Sequence, residues 1–282
     1  MLKQRIITGL TLSAMMLIVI FYFPLYGVAL FFGIFAVGAV WEWSRLSGIV
    51  SVPARLMYTL TLTVAGVIFY YDMASGTSEL TDVLLFMAVA WWLYVLVIEL
   101  MINQDKEQGL LKSPYGKLVA GSLIILPGWA SAVYLQSISS YLSAGLLFML
   151  LLVGLSDTAA FFVGRSLGRH KLAPKISPGK TIEGLVGGLV AVALMAVLFG
   201  RYVWTWSWPD IAILVAISLV AALFGVVGDL IESRIKRLAG VKDSGSMLPG
   251  HGGFMDRTDA FFAAAPVLTV SLIQYGKVVG KW

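Results

Sequence analysis

Five of the fifteen acidic residues in this 282-residue chain, Asp157, Asp229, Glu232, Asp256 and Asp259, fall at or near one set of ends of long apolar runs. Lys180, Lys236, Arg237, Lys242 and Arg257 lie among them in the sequence. Ionisable groups at the edge of or inside a bilayer are expensive to keep, so each is a candidate functional group. Carboxylates with basic neighbours suit transfer of a phosphoryl or nucleotidyl group, because one or two carboxylates hold Mg²⁺ against phosphate oxygens while Lys and Arg neutralise the remaining charge. An attacking phosphate oxygen is already anionic and needs no general base. The chain has only two histidines, His170 and His251, and no cysteine, which excludes disulfides, thiolate metal sites and a cysteine nucleophile. A plainer account pairs each carboxylate with a nearby Lys or Arg that merely fixes a helix end. That account serves for any one of them and poorly for a set gathered on one side.

Two polar segments carry most of the candidates. Ser177-Pro178-Gly179-Lys180-Thr181 has the order of a helix start, with Ser177 as N-cap and Pro178 at the first helical position. Free N–H groups there, a glycine that permits close approach and the Lys180 charge would cradle a phosphate. An ordinary capped span with a snorkelling lysine is the alternative. The Gly-Lys-Thr tail resembles a P-loop, but the earlier glycine such a loop requires falls on Pro174 and no strand is expected before it, so a P-loop is rejected. The second segment reads Ser233-Arg234-Ile235-Lys236-Arg237, then Lys242-Asp243-Ser244-Gly245, Pro249-Gly250-His251-Gly252-Gly253 and Asp256-Arg257-Thr258-Asp259. Glycines around one histidine let the backbone fold tightly against a ligand, and the flanking Asp and Lys/Arg residues offer metal and phosphate contacts.

The elements that must position these residues are membrane helices. The chain is 59% hydrophobic and 12% charged, with a mean hydropathy of +0.90, whereas a soluble domain carries about 25% charged residues. Nine apolar stretches stand out, near 6–23, 26–43, 56–71, 80–102, 116–135, 143–164, 181–204, 210–230 and 258–276. The expected fold is therefore all-α and polytopic, with about nine transmembrane helices. The first stretch follows Lys3 and Arg5 like a signal sequence, but no small-residue cleavage pattern follows, so it is read as a retained span. Residues 1–110 form an N-terminal group of spans, and 111–282 a catalytic region with polar connections at 165–180 and 231–257. Seventeen of the twenty Lys and Arg fall on the side of those connections, leaving Arg201, Lys277 and Lys281 on the other. Positive-inside counting puts the amino terminus, Lys106, Gly245 and both connections in the cytoplasm, with Ser139 and the carboxyl terminus outside. The net charge of +5 is spread over short loops rather than gathered on one soluble face, so it points to topology and a bilayer, not to nucleic acid.

From Ser233 to Asp259 the chain resembles the signature of the CDP-diacylglycerol synthases, or phosphatidate cytidylyltransferases, in its S-x-x-K-R, K-D-x-G, P-G-H-G-G and D-R-x-D elements. Ser156-Asp157, the segment from Ser177 to Thr181 and Trp41-Glu42-Trp43 are similar to that family too. The resemblance implies transfer of CMP from CTP to phosphatidic acid at a bacterial inner membrane, with Mg²⁺ held by Asp229 and Asp256. It also implies K⁺ near the Mg²⁺ and a homodimer. Lys180, Lys242 and Arg257 would neutralise phosphate charge during catalysis. Asp157, Ser177, Gly179, Thr181, Lys236, Arg237, Asp243, His251, Gly252, Gly253 and Asp259 are the further substrate-binding candidates. Other CTP-dependent lipid-phosphate enzymes, such as a polyprenol kinase or an archaeal-type lipid cytidylyltransferase, share much of this chemistry. A secondary transporter would place its acids near the bilayer midplane in paired halves, and no halves are detectable.

Overall fold

The computed structural model describes residues 2–102, 109–138, 144–248 and 252–279. Among them are nine α-helices: α1 (Leu2–Tyr22), α2 (Leu25–Leu46), α3 (Val52–Ala74), α4 (Glu79–Tyr94), α5 (Pro114–Ser137), α6 (Gly145–Leu167), α7 (Ile182–Tyr202), α8 (Trp208–Leu238) and α9 (Met255–Val279). α4 continues as π-helical turns over Val95–Ile102. An antiparallel pair, β1 (Lys171–Ala173) with β2 (Ser177–Thr181), joins α6 to α7. Helices α2 to α9 are long and apolar enough to cross a membrane once the π-helical turns are counted with α4, and α1 is apolar over Gly9–Tyr22. The all-α polytopic expectation holds.

Prolines set several of the starts, as fixed φ and a missing N–H dictate. Pro53, Pro114 and Pro209 lie in the first turns of α3, α5 and α8. Ser113 caps α5 by accepting the Gly116 N–H at 2.9 Å. The core centres on α5 and α9, whose apolar windows are 72% and 67% buried, while that of α3 is 6% buried and turns its side chains outward. Leu60, Val64, Val67 and Ile68 on α3 are accordingly exposed, as side chains facing lipid should be.

Small residues let α6 and α7, and α8 and α9, approach closely. A Cβ added at Gly228 of α8 would come within 2.6 Å of the Asp259 carbonyl and the Ala263 methyl of α9. One added at Gly188 of α7 would lie 2.9 Å from the Ser156 carbonyl of α6. Backbones this close bring the acidic ends of α8 and α9 side by side.

Two expectations about element limits are corrected. The connection placed at 231–257 begins as helix: α8 has 31 residues and ends at Leu238. At 1.5 Å per residue it is about 46 Å long against a hydrocarbon core of about 30 Å, so its last turns project beyond the apolar layer. No glycine or proline interrupts residues 231–238, and Gly240, with φ +71, marks the exit. The segment from Ser177 to Thr181 is a strand rather than a helix start. The N-cap of α7 is Thr181, whose Oγ1 accepts the Gly184 N–H at 3.1 Å, so a strand-to-helix junction replaces the Ser177 cap. Residues 170–181 favour the hairpin because an earlier turn brings β1 alongside, and the Ile182 N–H then bonds the His170 carbonyl at 2.9 Å.

Candidate active site

The end of the bundle formed by the exit of α8, the start of α9 and the β1–β2 hairpin gathers the charged candidates. Asp229 and Glu232 stand three residues apart on α8, hence on one face. Asp259 reaches them from α9, and ligand atoms of the three carboxylates lie within 4.8 Å of one another. Lys180 extends from β2, its Nζ 2.5 Å from Asp229 Oδ2. One turn beyond Glu232, Lys236 places its Nζ 2.5 Å from Glu232 Oε2 and 2.7 Å from Asp256 Oδ1. Asp256, in the first turn of α9, also accepts the Ser244 and Gly253 N–H groups, each at 2.9 Å on Oδ2. The helical extension of α8 is what aims Lys236 back at the cluster.

Asp157 on α6 lies within electrostatic reach of Lys180, Asp229 and Arg257. Arg257 is exposed in the first turn of α9. Thr181 is buried as the α7 cap, Ser177 is half-buried, and Gly179 is exposed on β2 with open space where a Cβ would be. Arg237 donates to the Val241 carbonyl at 3.3 Å and closes the end of α8. Lys242 and Asp243 are exposed on the connection that follows. Gly252 has φ +87, a conformation that favours glycine, and its carbonyl accepts the Leu248 N–H at 2.9 Å. His251 lies outside the described residues, as do Lys106, Ser139 and the last residues of the carboxyl terminus.

Asp229, Glu232 and Asp259 thus form the tight carboxylate group, and Asp256 is joined to it through Lys236. Glu232 is 1% exposed, and its Oε1 finds no hydrogen-bond partner among the described residues. Several carboxylates at this spacing, with a buried oxygen left unpaired, fit a divalent cation that prefers oxygen ligands.

Sequence reasoning set Glu232 among the acidic candidates but gave it no place in the centre, which its three-residue spacing from Asp229 could have supplied. It passed over other contributors. Glu42 on α2, 3% exposed, accepts the Ser244 hydroxyl at 2.9 Å and the Met255 N–H at 3.0 Å on one oxygen; its signal was an acid inside an apolar run. Arg45, from the same helix end, donates to the Ser244 carbonyl at 2.6 Å. Arg234, 6% exposed, pairs at 3.3 Å with Glu99, which is fully buried in the π-helical turns, and bonds the Glu99 carbonyl as well. Nothing local in the sequence announces that partner, 135 residues away.

Fold and centre together define a membrane-spanning protein with a carboxylate and lysine centre built at its helix ends. The chain belongs to the Cytidylyltransferase family, whose sequence model matches residues 3–274. It is 36% identical over 277 residues to the phosphatidate cytidylyltransferase of Pseudomonas aeruginosa, covering 98% of each chain. With that of Haemophilus influenzae it shares 33% identity over 281 residues, covering 94% of this chain and 96% of the relative. The Staphylococcus saprophyticus phosphatidate cytidylyltransferase is 47% identical over 135 residues, 46% of this chain and 49% of that one.

Proposed function

We propose that this protein is a phosphatidate cytidylyltransferase, which transfers CMP from CTP to phosphatidic acid and releases pyrophosphate. The observation that carries the reading is the convergence of Lys180, Asp229, Glu232, Lys236, Asp256 and Asp259 at one end of the apolar bundle. A lipid phosphate resides at that level of a bilayer, and a water-soluble nucleotide reaches the same level from one side only. The Lys and Arg count supports a cytoplasmic side, and the bacterial relatives support an inner membrane.

In the proposed reaction, a phosphatidate phosphate oxygen attacks the α-phosphorus of CTP in line. The bond from the α-phosphorus to the bridging oxygen of the β-phosphate breaks, and that electron pair leaves with pyrophosphate. Both nucleophile and leaving group are anionic, so charge neutralisation and positioning account for the catalysis rather than proton transfer. Lys180 has the reach to hand its charge from Asp229 to a phosphate oxygen. Lys242 and Arg257, exposed at the rim, serve the rest of the triphosphate or the lipid phosphate. Asp229 and Asp256 are the proposed ligands for Mg²⁺; Glu232 and Asp259, grouped with Asp229, would share its coordination, and Asp256 would join once the cation takes over the charge that Lys236 now supplies. Bound there, the ion would withdraw charge from the triphosphate oxygens. Asp157, Ser177, Gly179, Thr181, Arg237, Asp243, His251, Gly252 and Gly253 are the further proposed contacts of nucleotide and lipid. K⁺ beside the Mg²⁺ and a homodimer rest on the family resemblance alone; dependence of the rate on K⁺ and the mass of the detergent-purified particle test them.

The reading is tested by offering purified protein phosphatidate with each nucleoside triphosphate in turn and following lipid-linked nucleotide. CTP with phosphatidate should be the productive pair. Equal use of all four triphosphates, or product only with a polyprenol, would overturn it.

A further inference from the structure

Glu42 lies about two hundred residues from the signature in sequence, is 3% exposed, and sits under the connection between α8 and α9. Its Oε2 accepts both the Ser244 hydroxyl at 2.9 Å and the Met255 N–H at 3.0 Å. Ser244, itself fully buried, turns its own N–H to Asp256 Oδ2 at 2.9 Å, and its hydroxyl accepts the Asp256 N–H at 3.3 Å. The connection is wrapped around this carboxylate. A Cβ at Gly245 would stand 2.1 Å from Glu42 Oε1, and one at Gly253 2.3 Å from Oε2. Arg45, one turn further along α2, holds the Ser244 carbonyl.

We propose that Glu42 is a positioning residue for the reaction, acting through Ser244 to fix the Asp256 carboxylate and the glycine turn before α9. It is too buried to meet substrate, and its influence passes through a relay of three hydrogen-bonded groups. A carboxylate whose donors are held in place by a rigid helix needs little reorganisation when it engages charge. This inference rests on the assignment of Asp256 to the reaction made above.

Both hydrogen bonds converge on Oε2, while Oε1 has no hydrogen-bond partner among the described residues. This asymmetry gives the proposal a distinctive test. Glu42→Gln can keep its carbonyl oxygen in the Oε2 place and set its amide nitrogen in the other, so it preserves the relay without the charge. Glu42→Asp withdraws the acceptor by about one carbon–carbon bond, ~1.5 Å, and Glu42→Ala removes it.

The experiment measures kcat and the Mg²⁺ concentration for half-activation, with CTP and phosphatidate saturating, in detergent-purified variants of matched elution profile. Loss of support around a metal-binding group is typically worth about 10- to 100-fold. Glu42→Ala and Glu42→Asp should raise the Mg²⁺ concentration for half-activation by that order, with part of the rate recovered at high Mg²⁺. Glu42→Gln should stay within about threefold of the parent, and Ser244→Ala should reproduce the direction of Glu42→Ala. The double Glu42→Ala, Ser244→Ala variant should lose no more than the worse single one, since both cut the same relay. An unchanged Mg²⁺ midpoint in Glu42→Asp and Ser244→Ala would reduce Glu42 to a structural tether and overturn the proposal. So would Glu42→Gln behaving like Glu42→Asp. If Glu42→Ala does not fold, the Gln, Asp and Ser244→Ala variants decide alone. Failure of the functional reading looks different, because the parent protein itself would then make no CDP-diacylglycerol.

Discussion

Replacing Lys180 with alanine separates chemistry from architecture. Its backbone belongs to β2, and the α7 cap beside it is supplied by Thr181, so neither strand pairing nor helix start depends on the lysine side chain. The ammonium lies 2.5 Å from Asp229 Oδ2, with the two side chains 24% and 31% exposed. Solvent therefore reaches the pair, and its loss should scarcely change stability. In the proposed reaction the same charge would face a triphosphate whose negative charge shifts toward the leaving pyrophosphate. A lost contact of that kind removes about 2–4 kcal/mol of transition-state stabilisation. At 1.36 kcal/mol per tenfold this is about 30- to 900-fold in kcat/KM for CTP. Because Lys180 would compete with the proposed cation for Asp229, Mg²⁺ half-activation should not rise in Lys180→Ala, and Lys180→Arg should recover part of the rate. Steady-state kinetics over a CTP and Mg²⁺ grid measure both quantities. Unchanged kcat/KM in a folded Lys180→Ala enzyme would return Lys180 to the part of a simple partner for Asp229.

Asp229→Asn and Asp256→Asn should each cut Mg²⁺-dependent product formation by orders of magnitude without unfolding, and the double variant should lose little more than either single one, because a shared ion is lost once; near-normal turnover in either single variant removes that residue from the metal centre. Arg234→Met strands the fully buried Glu99 carboxylate, which should lower stability by about 3–5 kcal/mol; an unchanged unfolding midpoint in detergent would refute it. For topology, Gly245→Cys is a poor probe because Glu42 occupies the space of its Cβ, whereas Lys242 is exposed near the centre and Glu79 is exposed at the start of α4. With no native cysteine, an impermeant maleimide applied to intact cells stripped of outer-membrane protection should label Glu79→Cys and spare Lys242→Cys; the reverse pattern inverts the orientation.

Nine apolar runs and their prolines made the helices legible, because a bilayer leaves the backbone little choice but to bond within each span. The acidic set was legible for a related reason, since Asp157, Asp229, Glu232, Asp256 and Asp259 have no cheap place near lipid. Geometry beyond one helix was not. The charged run from Ser233 to Arg237 reads as a loop by polarity, yet it continues α8 once the helix has cleared the apolar layer, and only then does Lys236 face Glu232 and Asp256. Ser177-Pro178 suits a helix cap locally, but pairing with β1 moves the cap to Thr181. Glu42 and Glu99 meet their partners across 202 and 135 residues of sequence, contacts that no periodicity encodes.

The most direct test of the central claim follows the two ends of CTP separately. Purified protein, phosphatidate and Mg²⁺ are incubated with CTP labelled on the α-phosphate in one tube and on the γ-phosphate in another. Cytidylyl transfer puts the α label into lipid and the γ label into pyrophosphate, with both transfers lost in Asp229→Asn. Appearance of the γ label in the lipid would mean that the centre is a kinase, and the account of nucleotidyl transfer would be wrong.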